Sequence, residues 1–291
     1  MKVRHLLLCV LVTAIWGANF SVIKLGLQSM DAFVLAGVRF TLCALPAVFV
    51  LRRPRVPPGY LAGYGLLFGV GLWGVVNLGI QAGASAGIAS LVLQLSAFFT
   101  ILLGAAVFRE PVSRWQYAGI AVALAGLGCT IGIADGSASP AGLALVVAGA
   151  LSWAAANVLI KRSGTQEVLA FVVWSSLFAP LPLFALALAQ HGPDVFAATW
   201  HRLDTVTVAS ILFQAYPTTL FGYWIWNAML RRYPVSVVAP LSLLVPVFGL
   251  AGSALVFGER IGGLKLAAAG LIVLELAVGL YGRQTAAALR R

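Results

Sequence analysis

The chain has 291 residues, of which 61% are apolar and 9% charged, whereas an ordinary soluble domain carries roughly 25% charged residues. So few charges cannot cover a water-facing surface, which excludes a soluble globular protein, and the length suits about ten spans of roughly 20 apolar residues each. The formal net charge of +11 lies beside the ends of apolar segments, where topology signals sit, and so does not point to nucleic acid.

Apolar runs between Gly, Pro and charge punctuation predict an all-α, polytopic membrane protein with helices over 6–27, 31–51, 59–80, 86–108, 115–134, 140–161, 168–190, 204–228, 235–257 and 263–282. The first follows Lys2 and Arg4 and runs past Gly17 and Ser21 without an A-x-A cleavage pattern, so it reads as a retained span and not a signal peptide. Trp16 and Asn19 are three apart and share a face, while Lys24 is close enough to the far end to snorkel. On the second helix Arg39 is the costliest intramembrane charge. It either meets a substrate carboxylate or is a structural charge paired with Glu275, helix carbonyls or a helix end.

The third helix offers Trp73, Asn77 and Gln81 at a spacing of four, and Gly65 and Gly69 as a GxxxG pattern consistent with close helix packing. Gln94 lies on the fourth helix, and Trp153 and Asn157, four apart, on the sixth. The eighth carries Tyr216, Thr219, Tyr223 and Trp226 at intervals of three and four, one stripe of a regular helix. Polar groups inside spans tend to face the bundle interior or a wet cavity. These residues can therefore line a chamber with amides and hydroxyls for a carboxylate and an ammonium, and with aromatic faces for a side chain or cation. The competing role for each amide is an interhelical hydrogen bond, contributing about 0.6–2 kcal/mol. Trp115, Trp200 and Tyr281 fit interfacial belts.

Glu110 and Glu259 sit beside Arg109 and Arg260 at helix ends, where gating, loop anchoring and substrate contact are all open. Glu275 is the sole acid deep in a predicted span, and His5, His191 and His201 are terminal or in a loop. That pattern favours facilitated diffusion, with proton coupling through Glu275 or a helix-end acid as the alternative. With the N-terminus inside, fourteen of the nineteen Lys and Arg fall at inner connections, which places both termini in the cytoplasm.

An internal repeat organises these segments. Residues 89–110, ASLVLQLSAFFTILLGAAVFRE, align without gaps to 238–259, VAPLSLLVPVFGLAGSALVFGE. Leu95, Phe99, Ala105, Val107, Phe108 and Glu110 thereby match Leu244, Phe248, Ala254, Val256, Phe257 and Glu259. A weaker echo pairs Trp16 with Trp153 and Lys24 with Lys161, each tryptophan eight residues before its lysine. Both relate helix n to helix n+5, and an odd-numbered unit leaves its second copy upside down. The expectation is two inverted five-helix repeats, 1–136 and 137–291, the architecture of secondary transporters with a substrate near the midplane.

TAIWGANFSVIKLGL at 13–27, LAGVRF at 35–40, the 89–110 segment and APLSLLVPVFGLAGSALVFGER at 239–260 resemble the EamA family of the drug/metabolite transporter superfamily, over nearly the whole chain. The resemblance implies ten spans in two inverted repeats and export of amino acids or related metabolites from bacteria, across the inner membrane. The subgroups it most resembles are the cysteine and O-acetylserine exporters and the YddG-type exporters of aromatic amino acids. The expected partners are a small amino acid or metabolite and the lipid bilayer, with the chain a monomer or weak homo-oligomer. Cys9, Cys43 and Cys129 lack metal-ligand or CxxC spacing, and HExxH, GxSxG and DxxD patterns are missing, so no cofactor, metal or catalytic residue is expected. A membrane-embedded enzyme is the competing class.

Overall fold

The computed structural model describes residues 1–109, 112, 114–131, 138–233, 238, 241–242, 244–271 and 274. Among them the chain is all-helical, with one isolated β-bridge between Ala84 and Ala138. Helix α1 spans Val3–Gly26 and α2 Ala32–Val48. Helices α3 (Pro58–Gln81) and α4 (Ala86–Phe108) follow, then α5 (Arg114–Ile131) and α6 (Pro140–Ser163). Helix α7 is Val168–His191. Thr205–Phe213, Gln214–Phe221 and Gly222–Arg232 run on as α8, Leu244–Phe257 is α9, and residues 263–271 form α10. Five of these, α1, α3, α4, α6 and α7, are long and apolar enough to cross a membrane.

Local chemistry sets the starts. Asp31 caps α2 by accepting from the amides of Phe33 and Val34 at 2.9 and 3.1 Å. Ser85 caps α4, Ser139 caps α6 ahead of Pro140, and Asp204 caps α8 through the Thr207 amide at 2.7 Å. Each side-chain oxygen satisfies an amide that has no partner within its own helix. The hydroxyl and amide of Thr207 hold the Asp204 carboxyl below the usual carboxylate range.

Packing relies on close approach of small residues. At Gly17 a Cβ would stand 2.5 Å from the Phe248 Cβ and 2.6 Å from the Val245 carbonyl oxygen, so α1 can cross α9 here because neither backbone is held off by a side chain. The GxxxG pattern serves α3 against α7: added Cβ atoms at Gly65 and Gly69 would collide with the Ser175 carbonyl and the Ala179 side chain. Dispersion between close backbones is a main source of helix association in lipid.

Four departures from the predicted elements have physical causes. Helix α4 is interrupted at Leu93–Gln94, where hydrogen bonds tighten to the i→i+3 type, as from the Gln94 amide to the Leu91 carbonyl. Helix α7 is interrupted at Leu177–Ala179 and restarts with Pro180 at its first turn, where a missing amide costs nothing. The connection between α7 and α8 contains a short helix, Asp194–Arg202, laid so that Phe196 and Trp200 border a shallow apolar groove with Val34, Val38 and Phe184. Its amphipathic pattern is hidden between charged and proline positions. Finally, α3 and α8 each widen into π-helix, over Leu66–Gly74 and Gln214–Phe221. In α8 this accommodates Pro217, which has no amide to give to a regular turn.

Candidate transport chamber

A chamber of about 560 Å³ lies among α1, α2, α3, α4, α6, α8, α9 and the start of α7. Its size falls in the range of small-molecule sites. Its buried members include Arg39 and Trp73, while the exposed Lys161, with the partly exposed Thr165 and Leu230, marks its mouth. The mouth is at the end of the bundle that carries the start of α1, because His5 Nδ1 and the Tyr233 hydroxyl, just beyond Leu230, are 2.6 Å apart.

Most of the aromatic residues expected to face inward do so. Trp16, Trp73, Trp153, Tyr223 and Trp226 all line the chamber. The Trp16 ring centroid is 5.5 Å from that of Tyr223 and 5.2 Å from that of Trp226, so α1 and α8 contribute one aromatic wall. Trp16 is oriented by donating from its indole N–H to the Thr218 carbonyl at 3.0 Å, and Gly222 leaves room for that indole edge. Gln94 lines the opposite wall, at the break in α4. Asn157 also lines the chamber and donates to the Thr100 hydroxyl at 3.3 Å, joining α6 to α4.

Other residues of the expected set lie elsewhere. Asn19 is fully buried behind the wall, its carbonyl accepting from the Thr218 hydroxyl at 3.1 Å. Asn77 is likewise buried and donates to the Ala32 carbonyl at 3.3 Å, tying α3 to the start of α2. Gln81 is exposed in a separate groove with Asp31, His191 and Arg202. Tyr216 is on the outer surface beside Leu169, Leu220 and Trp224. The stripe of four on α8 is thus split, and the π segment is the reason: its i→i+5 turns rotate Tyr216 away from the face that holds Tyr223 and Trp226. Glu110 and Glu275 lie outside the described residues.

Thr219 is buried under Arg39. The guanidinium donates from Nε and Nη2 to the Thr219 hydroxyl at 3.3 and 3.0 Å, and that hydroxyl donates onward to the Gln214 carbonyl at 2.9 Å. Arg39 is fully buried, its guanidinium carbon 4.2 Å from the centroid of the Trp73 ring. A carboxylate partner, the structural alternative from sequence, is not found among the described residues.

Sequence reasoning overlooked Thr218, Tyr64 and Asn227, which also line the chamber. Thr218 has no visible signal, because a regular helix puts Thr219 on the inward stripe and Thr218 off it. Asn227 follows Tyr223 by four residues and extends the same face.

At the end away from the mouth, Lys24 Nζ meets Glu259 Oε1 at 2.9 Å and stands 4.2 Å from the Phe257 ring centroid. At the mouth, Lys161 stands 4.6 Å from the Phe108 ring centroid. Burial works against the Glu259 carboxylate, but the Ser253 and Ser85 hydroxyls and the Lys24 ammonium more than offset it and hold the carboxyl below its ordinary range.

The model of the EamA-like transporter family matches residues 3–132 and 140–279. This chain belongs to the EamA-like transporter family. It is 43% identical over 281 residues to a protein of Salmonella typhimurium named "Probable amino-acid metabolite efflux pump", with 94% of each chain covered. A protein of the same name from Escherichia coli K12 is 41% identical over the same share. A solved crystal structure superimposes with a TM-score of 0.59 at 20% identity, over 96% of this chain and 98% of that one, a likeness of fold alone. The chain is therefore a transporter of the inner membrane, crossing it several times, and not an enzyme.

Proposed function

We propose that this EamA-like transporter exports amino acids or closely related small metabolites by alternating access between two inverted five-helix halves, 1–136 and 137–291. The observation that carries the reading is a chamber open at one end, its wall shared by Trp16, Trp73 and Gln94 of one half and Trp153, Tyr223 and Trp226 of the other. The family match divides at nearly the same place, and the relatives named as amino-acid metabolite efflux pumps favour the substrate class.

Pairing of helices supports the inversion. Exchanging helix n for n+5 turns the α1–α9 contact into α6–α4, and both are among the most extensive in the bundle. The same exchange relates Lys24 over Phe257 to Lys161 over Phe108, and the π segment of α3 to that of α8. With both termini in the cytoplasm, as the basic connections favour, the chamber faces inward and the Lys24–Glu259 pair closes the outer side. A substrate would enter past Lys161 and Thr165, and leave after the halves exchange roles. The charged side chains on the described wall are Arg39 and Lys161, with no Asp, Glu or His among its described residues, so facilitated diffusion down the substrate gradient is the preferred mode.

The test is efflux and counterflow of an amino acid panel from proteoliposomes holding purified protein, with and without a pH gradient. Saturable exchange that persists without the gradient is expected, with Trp153→Ala and Gln94→Ala each lowering it about ten-fold or more. A strict gradient requirement would defeat facilitated diffusion, and unaltered flux in both variants would remove the chamber from the pathway.

A further inference from the structure

Among the described residues that line the chamber, the two fully buried hydrogen-bonding atoms left without a protein partner are both donors. Thr219 engages two of the three guanidinium nitrogens of Arg39, and the third, Nη1, has no partner among the described residues. The indole N–H of Trp73 is in the same condition. The two groups are neighbours, since the guanidinium lies over the Trp73 ring, and both residues line the chamber. A buried arginine without a counter-ion is strongly unfavourable in a bilayer. A neutral acceptor would satisfy the hydrogen bonds and leave the charge, whereas a carboxylate satisfies both.

We propose that Arg39 and the Trp73 indole form the carboxylate subsite of this chamber, and that its ligands are small monocarboxylates, amino acids among them. This rests on the exporter reading and deepens it. Thr219 is the positioning residue: by accepting from Nε and Nη2 it fixes the guanidinium and leaves Nη1 to the ligand carboxylate, and its own proton goes to the Gln214 backbone carbonyl. The second half of an amino acid, its ammonium, then has the faces of Trp16, Tyr223 and Trp226 within the same chamber, a setting that attracts a cation. The lining thus offers a zwitterion donors from Arg39 and Trp73 and aromatic rings from Trp16, Tyr223 and Trp226.

The experiment compares each panel amino acid with its own primary amide as a competitor of counterflow, phenylalanine against phenylalaninamide for instance. The wild-type protein is expected to prefer the acid by about thirty-fold or more, the loss anticipated when a buried charged donor has no acceptor. Arg39→Gln should bring acid and amide within about three-fold, Arg39→Lys should keep part of the preference, and Trp73→Phe should lower it a few-fold. Equal loss of flux on acid and amide in a well-folded Arg39→Gln protein would mean a purely structural arginine and would overturn the assignment. So would an undiminished acid preference. If Arg39→Gln fails to fold, Arg39→Lys and Trp73→Phe decide by the same ratio. If the wild-type protein moves no panel compound, the exporter reading fails by itself. The subsite is then judged by thermal shift with benzoate against benzamide: stabilisation by benzoate alone, lost in Trp73→Phe, upholds it, and equal or no stabilisation rejects it.

Discussion

Lys24 and Lys161 stand over Phe257 and Phe108 at 4.2 and 4.6 Å from the ring centroids, yet Lys161 borders the chamber and Lys24 does not. The two occupy corresponding places eight residues after a tryptophan. Around Lys24 the space is filled: Gly17 lets α1 meet α9, Gly249 faces Ser90, and Glu259 holds the ammonium. Around Lys161 the residues Thr165, Asn227 and Leu230 border the chamber with it. The same lysine and phenylalanine thus sit at a filled end and at an opening, and the difference lies in the packing around them, not in the residues themselves. A carrier that exchanges the two arrangements needs the two packings to be close in energy.

The strongest way to break this comparison is to spoil the sealed end by volume. Gly17→Val adds atoms where a single Cβ already meets Phe248 and the Val245 carbonyl, so a loss of about 3 kcal/mol or more is expected, as in overpacked cores. The check is the melting temperature of the purified protein beside Gly128→Ala, a position where an added Cβ meets nothing within 4 Å and little change is expected. Comparable melting of the two variants would show that α1 and α9 are not in contact at the seal.

A subtler perturbation sharpens the comparison by electrostatics. The Lys24 and Glu259 side chains are 33% and 15% exposed, so solvent screening limits their pair to about 1 kcal/mol, or roughly five-fold in population. Glu259→Gln is therefore expected to raise labelling of Gln94→Cys from the Lys24 side about five-fold, in a background lacking Cys9, Cys43 and Cys129. The pH dependence has a definite sign. The closed form holds the Glu259 carboxyl below its ordinary range, so the pair contributes fully above the ordinary carboxylate pKa. That contribution declines as pH falls through the ordinary value and is gone below the depressed one. Labelling should rise with acidification over that interval in the parent and stay flat in Glu259→Gln; a parent curve without that rise would count against the latch.

The smallest effects are expected at residues the sequence placed inside and the structure places outside. Tyr216→Ala and Gln81→Ala should leave counterflow within about two-fold of the parent, since surface substitutions rarely cost more than 0.5 kcal/mol. A ten-fold loss in either would mean that the chamber extends to their faces.

Much of the fold was legible because lipid imposes a simple rule: a span is a long apolar run, and charges, prolines and glycines interrupt it. The helices α1, α3, α4, α6 and α7 begin and end within a few residues of the predicted limits, and Asp31, Ser85, Ser139 and Asp204 are caps of an ordinary kind. Composition, the apolar runs and the 89–110 to 238–259 match required only the order of residues. The aromatic part of the chamber was legible as well, since tryptophans away from helix ends have few reasons to be there. The amides were so only in part: Gln94 and Asn157 line the chamber, but Asn19 and Asn77 have the same spacing whether they face a ligand or a neighbouring helix, and only the positions of Thr218 and the Ala32 carbonyl decide between them.

Regularity was the assumption that failed. Spacing of three and four identifies a face only while the helix keeps 3.6 residues per turn, and Pro217 sits where α8 widens, so Tyr216 turns outward while Tyr223 stays in. Arg39 shows the division most clearly. That a charge lies within a span follows from sequence alone, but its stacking on Trp73, its hold by Thr219 and the nitrogen left without a partner among the described residues depend on how helices up to 180 positions away pack. Sequence order determines which groups must be removed from water, whereas packing of distant helices determines which of them meet each other and which are left facing the chamber.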